Sequence, residues 1–596
     1  MLLAAASATT AQPQNLNSLP VTCKGERVTR IDIDASPPFR ITGNNIWQRV
    51  GRFAAKQHVT TREAVIRRYL ALQLGDRCTE VRRAESERIL RSQPFIADAS
   101  VLAYPDGNGG IVLSVSTVDE VSVIVGAGIG GGSPAVHSLL LGEDNLMGSA
   151  IHTDVSWKKG QHFRDIYAGR FVDYQFLGRP YQLLFEGGRR ELGSDWRTEL
   201  SHPFLTDLQR LSWRTTAGNL NGYFYFRRPG ALPASLRLKR SYSDIGGVFR
   251  IGPPLGKLAL VGGSISFEDE DPGNQPVIIT DTIARDTSQA LLNRYTKHQT
   301  ARLNGLWGIR DVHFLRVSGF DALEGPQDLR TGVQVATVLG KGATFLRGKE
   351  ADWFGSTDIY AGMASPISYA AVDIAGEGRR GENGRWDGIL MHGRGAFYLK
   401  PINRHTVMSD LKWSAGWRQR IPFQLTFADR DGGLRGFRFT DVGGARRLVT
   451  HLEDRYLVGR YSDLASVAVS GFVEAGKIWA GDSPFGVNTP LSASLGFSVM
   501  AASPPQSRRT IRADFAVPVK GPRGHGWEVR LVATDFTRIF RIEPRDIFNN
   551  RERSVPASVA AAATLSTGVF GFSETPTPRP CCRAVATTAP TSSTAS

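Results

Sequence analysis

No run of 18 or more apolar residues occurs anywhere in the 596-residue chain, so it lacks what a helical membrane span requires. Cysteine is scarce at four, and none of the four sits at metal-ligand spacing, so neither a zinc site nor any other metal or cofactor is expected. No GxSxG element or HExxH helix is present, and the His residues lack partners at catalytic spacing, which excludes a hydrolase and gives no reason to expect an enzyme. Basic clusters are missing too. The net charge of +16 comes from 72 Lys and Arg scattered along the chain, and Trp, Tyr and Phe fall at strand spacing instead of lining a basic groove. That pattern argues against nucleic acid and suits anionic lipid or lipopolysaccharide headgroups.

What the chain has in quantity is glycine, at 64 residues, beside 9% aromatics and a modest 41% hydrophobic content. Turns and close strand packing consume glycine, so a large, mainly β protein is expected.

Residues 1–20 open with MLLAAASATTAQ, which reads either as the tail of a secretory signal peptide without its basic start or as a disordered Ala/Ser/Thr leader. A small α+β domain is expected over 21–119. Residues 27–33 alternate as a strand. Thr60 and Glu63 form a capping-box signature ahead of Val65, Ile66, Tyr69 and Leu70, and Gly75 and Asp76 stop that helix. Thr79 starts a second helix carrying Val81, Ala84, Ile89 and Leu90, closed by Pro94. Strands 96–104 and 111–118 follow, joined by PDGNGG. Cys23 and Cys78 both lie in this domain and form a candidate disulfide for an oxidising compartment.

From residue 120 the helical period disappears. In IHTDVSWK (151–158), Ile151, Thr153, Val155 and Trp157 share one face while His152, Asp154, Ser156 and Lys158 share the other. IRADFAVPV (511–519) alternates in the same way, with Asp514 on the polar face. Apolar-out, charged-in alternation over many segments is what a transmembrane antiparallel β-barrel requires, because lipid solvates the outer face and water the lumen. At ~10 residues per strand plus loops, residues 120–540 accommodate about 16 strands. Gly126, Gly128 and Gly131 match dinucleotide-binding spacing, but a short broken run follows where that unit needs an amphipathic helix, so a glycine-rich first barrel strand is the better reading.

The segment DGGLRGF (431–437) places an Arg among turn-permissive residues in a long loop, around 424–450, between strand-like segments. Strand parity puts Ser470, Phe472, Glu474 and Gly476 inside the barrel, where a folded-back loop would present Arg435 to Glu474, with Asp514 as a second candidate partner.

With these residues in view, the chain resembles the outer-membrane assembly and translocation superfamily that includes BamA, TamA and the transporters of two-partner secretion. The stretch GDRCTEVRRAESERILRSQPFIADASVLAYPDGNGGIVLSV looks like one POTRA module, and EDNLMG (143–148) looks like the Asn-Leu-x-Gly turn near the start of the family's barrel. LRGF (Leu434, Arg435, Gly436, Phe437) matches the signature of the family's lumen-directed sixth loop, and FVEAG (472–476) matches its late-strand motif, with Glu474 where Asp is usual. WEVRLVATDFTRIF (527–540) resembles the last strand, with Phe536 and Phe540 at the positions of a terminal sorting signal. Residues 541–596, charged and then rich in Ala, Thr, Ser and Pro, are expected to be disordered.

The resemblance implies a bacterial outer membrane, or an organellar one, with the POTRA-like domain in the periplasm. It also implies client polypeptides as partners, which the barrel would insert or translocate. A secretion pore for one partner protein and a passive porin or anchor remain alternatives.

Overall fold

The computed structural model describes residues 19–39, 58–129, 136–254, 256–346, 348–461, 464–522, 526–535, 544–548 and 550–551. The leader lies outside these residues except for its last two positions, and Phe536 and Phe540 also lie outside them.

The N-terminal domain runs β1 (Lys24–Ser36), α1 (Glu63–Tyr69), β2 (Arg77–Thr79), α2 (Glu80–Arg91), β3 (Ile96–Pro105) and β4 (Ile111–Asp119). Its sheet has the order β2-β1-β4-β3, with β1 parallel to β4 and β3 antiparallel to it. Val65, Ile66 and Tyr69 of α1 and Ile89 and Leu90 of α2 bury against Val101, Leu113 and Val115 of the sheet. Cys23 and Cys78 are disulfide-bonded, with Cα atoms 5.2 Å apart, and tie the start of β1 to the residue before Thr79.

The boundaries of α1 differ from expectation at both ends, whereas the cap of α2 is as expected. Thr79 caps α2, accepting from the Arg82 N–H at 3.4 Å. The capping box at Thr60 does not form, because α1 begins at Glu63 with Arg62 as its N-cap and no side-chain cap. The neighbouring Thr61 spends its N–H and its hydroxyl on the Asp119 carboxylate, at 2.7 and 2.8 Å. Tertiary contact thus overrides the local signal, and the helix ends at Tyr69, before Gly75. Val81 lies exposed at the start of α2, away from the buried Ile89 and Leu90 near its end.

From Val123 the chain becomes a closed antiparallel barrel in which each strand pairs with the next, and Glu528–Asp535 closes the ring beside Val123–Ile129. The glycine-rich first strand pairs antiparallel with Val136–Glu143, with a bulge between Gly128 and Ile129, so the run that a nucleotide-binding unit would make helical is the second strand. Among the described residues the ring holds twenty-two strand segments, of which Val277–Ile279 and Ile283–Arg285 form a short hairpin at the rim, leaving twenty staves. About sixteen were expected. The estimate allowed for longer connections than exist: only residues 191–192, 229–230 and 403–404 separate three of the successive strand pairs.

Polarity follows the alternation. Val155, Ile245, Phe249, Ile309, Val473 and Leu531 project outward and are each more than half exposed. Their inward neighbours, such as Asp154, Asp244, Arg310 and Glu474, are buried. An exposed apolar belt around a closed sheet is stable only in lipid, so the barrel spans a membrane.

Two boundaries are corrected by the structure. The long loop occupies 418–445, because Arg446–Tyr461 is already a strand. The tail contains ordered structure among its described residues. Residues 545–548 form a short helix, α3 (Arg545–Phe548), with Ile547 fully buried.

Candidate functional site

The long loop turns back into the bore because of a compact reversal at 427–434. The Asp429 side chain accepts from the backbone N–H groups of Asp431 and Gly432, at 2.9 and 2.6 Å. Gly433 N–H donates to the Asp429 carbonyl at 2.9 Å, and Leu434 N–H to the Phe427 carbonyl at 3.0 Å. Leu434 and Phe437 then enter a cluster with Phe427, Val442, Val449 and Ile478 on the inner wall. Burial of those apolar side chains holds the loop inward.

Between Leu434 and Phe437, Arg435 meets the wall. Its Nε donates to Glu474 Oε1 at 2.8 Å, and its own backbone N–H donates to Glu474 Oε2, also at 2.8 Å. Its Nη1 lies 3.2 Å from Asp514 Oδ2, so the structure brings both candidate carboxylates to the same guanidinium. The guanidinium carbon sits 3.4 Å from the centre of the Phe472 ring, which gives that motif aromatic a cation–π role. Gly436 takes a left-handed φ of 86°, and its N–H donates to Glu528 Oε2 at 2.6 Å, tying the loop to the last described strand.

Gly476 is needed for space. A Cβ there would lie 2.9 Å from the Leu448 carbonyl oxygen, 3.1 Å from Phe427 and 3.2 Å from Leu434, so only glycine lets the loop lie flat on this stave.

Further members of the network were not singled out from the sequence. His451 lies 2.9 Å from Arg435 and 3.1 Å from Glu474. Arg512 bridges Glu453, at 2.7 Å, and Asp514. Ser498 donates to Asp514 at 2.5 Å. The signal was available: in HLEDRY the same parity that places Glu474 inward places His451, Glu453 and Arg455 inward. Among the described residues no group of three or more His, Cys, Asp and Glu side chains could hold a metal ion.

The turn EDNLMG occupies the other mouth, where it joins the barrel to the N-terminal domain. Asn145 donates to Thr61 Oγ1 at 2.7 Å and accepts from Ala150 N–H at 2.8 Å. Gly148, at φ 69°, lies so close to Thr60 that a Cβ would strike its carbonyl, while its own carbonyl accepts from Arg62 N–H at 3.0 Å. Asp144 pairs with Arg509 and His152. Burial alone would raise its carboxyl, but the Arg509 charge and the hydrogen-bonded His152 ring outweigh that and hold it at about 2. Helix α2 lies across the same mouth. Arg91 pairs with Asp328 at 2.7 Å, and Arg88 donates to the Leu205 carbonyl at 2.7 Å.

No family model and no curated protein sequence matches the chain. Solved structures do match at low identity. BamA from Haemophilus ducreyi lacking POTRA domains 1–3 aligns at 12% identity and a TM-score of 0.35, covering 85% of this chain and 83% of that one. CdiB from Acinetobacter baumannii aligns at 10% identity and a TM-score of 0.36, over 80% and 74%. CdiB from Escherichia coli aligns at 11% and 0.35, over 88% and 93%.

Proposed function

We propose that this chain works in a bacterial outer membrane, its N-terminal domain in the periplasm, as a non-enzymatic barrel of the BamA and TamA type that assists insertion or translocation of client polypeptides. The observation that carries this reading is the loop at 418–445, folded into the bore and fixed by Arg435 to Glu474 and Asp514. A passive porin gains nothing from a long loop anchored by a buried ionic network, whereas a machine that rearranges around a client needs a specific contact to hold one state. A planar guanidinium gives such a contact direction as well as strength.

In this reading an extended client adds to an edge of the N-terminal sheet by main-chain hydrogen bonding. The scattered surface cations meet anionic lipid and lipopolysaccharide headgroups, and nucleic acid is not a partner. The test is the outer-membrane protein profile of cells depleted of the chain. General loss of barrel proteins is expected. Loss of a single exported protein would favour a dedicated secretion pore, and an unchanged profile would sink both readings and leave a passive anchor.

A further inference from the structure

Residues 544–548 and 550–551 follow the last described strand, yet their contacts lie inside the barrel. Asp546 forms a two-point ion pair with Arg447, at 2.6 and 3.1 Å, and its N–H donates to the Asp429 carboxylate at 3.1 Å. Ile547 is fully buried among Leu390, Phe423, Leu425 and Ala445, which come from one stave and the folded-back loop. Arg551 reaches Asp358 at 3.3 Å and Glu377 at 3.5 Å, and its carbonyl accepts from Arg240 at 2.8 Å.

Arg447 and Arg240 stand on strands Arg446–Tyr461 and Ala231–Ile251, eight staves apart on a ring of twenty. A segment that touches both lies across the bore. The loop crosses beside it, for Gln424 accepts from Arg227 N–H at 2.7 Å on the far wall. The two therefore stack: Asp429 bonds to Asp546, and Gly432 packs so closely on Pro544 that a Cβ there would lie 2.9 Å from the proline.

We propose that the bore contains a peptide-binding site and that residues 544–551 are its built-in occupant, a plug that a client segment must displace. The site reads a carboxylate with Arg447, the aliphatic residue after it with the Leu390, Phe423 and Leu425 pocket, and a cation four residues further on with Asp358 and Glu377. A client carrying an acidic residue, an aliphatic neighbour and a basic residue at that spacing has the chemistry to take its place. The displacement step rests on the translocation reading above, whereas occupancy of the site does not.

The test uses the full chain with Cys581→Ser and Cys582→Ser, reconstituted in planar lipid bilayers. Asp546→Asn combined with Ile547→Asp is expected to raise the conductance severalfold, and a synthetic peptide of residues 544–551 to lower it again where a scrambled peptide does not. Unchanged conductance, in protein that still migrates as a folded barrel, overturns the proposal. Independently, Ala445→Cys with Ile547→Cys is expected to form a cross-link in isolated membranes, and absence of the cross-link under oxidation overturns it as well. If the cross-link forms and the locked protein still supports a normal outer-membrane profile, the plug stands and the client-passage reading falls.

Discussion

The guanidinium carbon of Arg435 lies over the Phe472 ring, 3.4 Å from its centre, while its Nε is bonded to Glu474. Face and edge are thus engaged at once, which a lysine cannot reproduce. Removing one partner leaves a charge buried without compensation, so Arg435→Ala should lower barrel stability by about 3 kcal/mol or more. Arg435→Lys should recover only part of that. In a double-mutant cycle with Glu474→Gln, a coupling of about 1–3 kcal/mol is expected, with a smaller one for Asp514→Asn. Thermal unfolding in mild detergent reads both, and strict additivity would remove the proposed partnership.

Gly476→Val should act through shape alone. Its side chain would enter space held by Phe427 and Leu434 and lift the loop off the wall, at a cost of about 1–3 kcal/mol. The expected readout is new protease cleavage within 428–433 in a barrel that remains folded. Full protection there would show that the loop is held without this contact.

Most of the wall was legible because a membrane barrel imposes a period of two that no loop or helix shares, and the same parity placed Glu474 and Asp514 inward beside Arg435. The strand count was not legible, since connection lengths leave no periodic trace. The start of α1 was misread because Thr61 serves Asp119, a partner 58 positions away. The order at 544–548 was hidden for the same kind of reason. In a polar tail Asp546 and Ile547 have no local use, and they acquire one only when strands far apart in sequence bring Arg447 and the Leu390 pocket together. Parity placed Phe472 inside the barrel, but its contact with Arg435 was not legible, because a lone aromatic does not announce that a cation will stack on it.

The proposed orientation predicts where a membrane-impermeant thiol reagent reaches in intact cells. Asp281→Cys, at a rim position whose side chain is 93% exposed, should be labelled. Asn108→Cys, in the β3–β4 turn, should be labelled only after the outer membrane is opened. Val442→Cys should also stay dark, because the folded-back loop buries residues 442–445. Labelling at Asn108→Cys in sealed cells would reverse the topology.

The Cys23–Cys78 bond ties the residue just before β1 to the middle of β2. Replacing both with Ser should cost the N-terminal domain about 2–4 kcal/mol, chiefly by freeing its unfolded chain. The barrel has its own hydrogen-bond ring, so protease loss of the domain ahead of the barrel is the expected pattern. Simultaneous loss of both would mean that the domain braces the barrel mouth.

Asp144 supplies a pH dependence with a defined sign. Its carboxyl is held at about 2 in the folded chain, below the ordinary aspartate value, by Arg509 and His152. A depressed carboxylate adds stability that is fully present above the unfolded value of about 3.9 and is lost as pH falls through the folded one, here worth roughly 2–3 kcal/mol. Asp144→Asn should therefore weaken the junction of domain and barrel at neutral pH, and its deficit should close between about pH 4 and pH 2. The measurement is thermal release of the N-terminal domain to protease for both proteins across that range. A deficit that stays constant down to the lowest pH would mean that Asp144 acts there through packing and hydrogen bonds, with its charge contributing nothing to the joint.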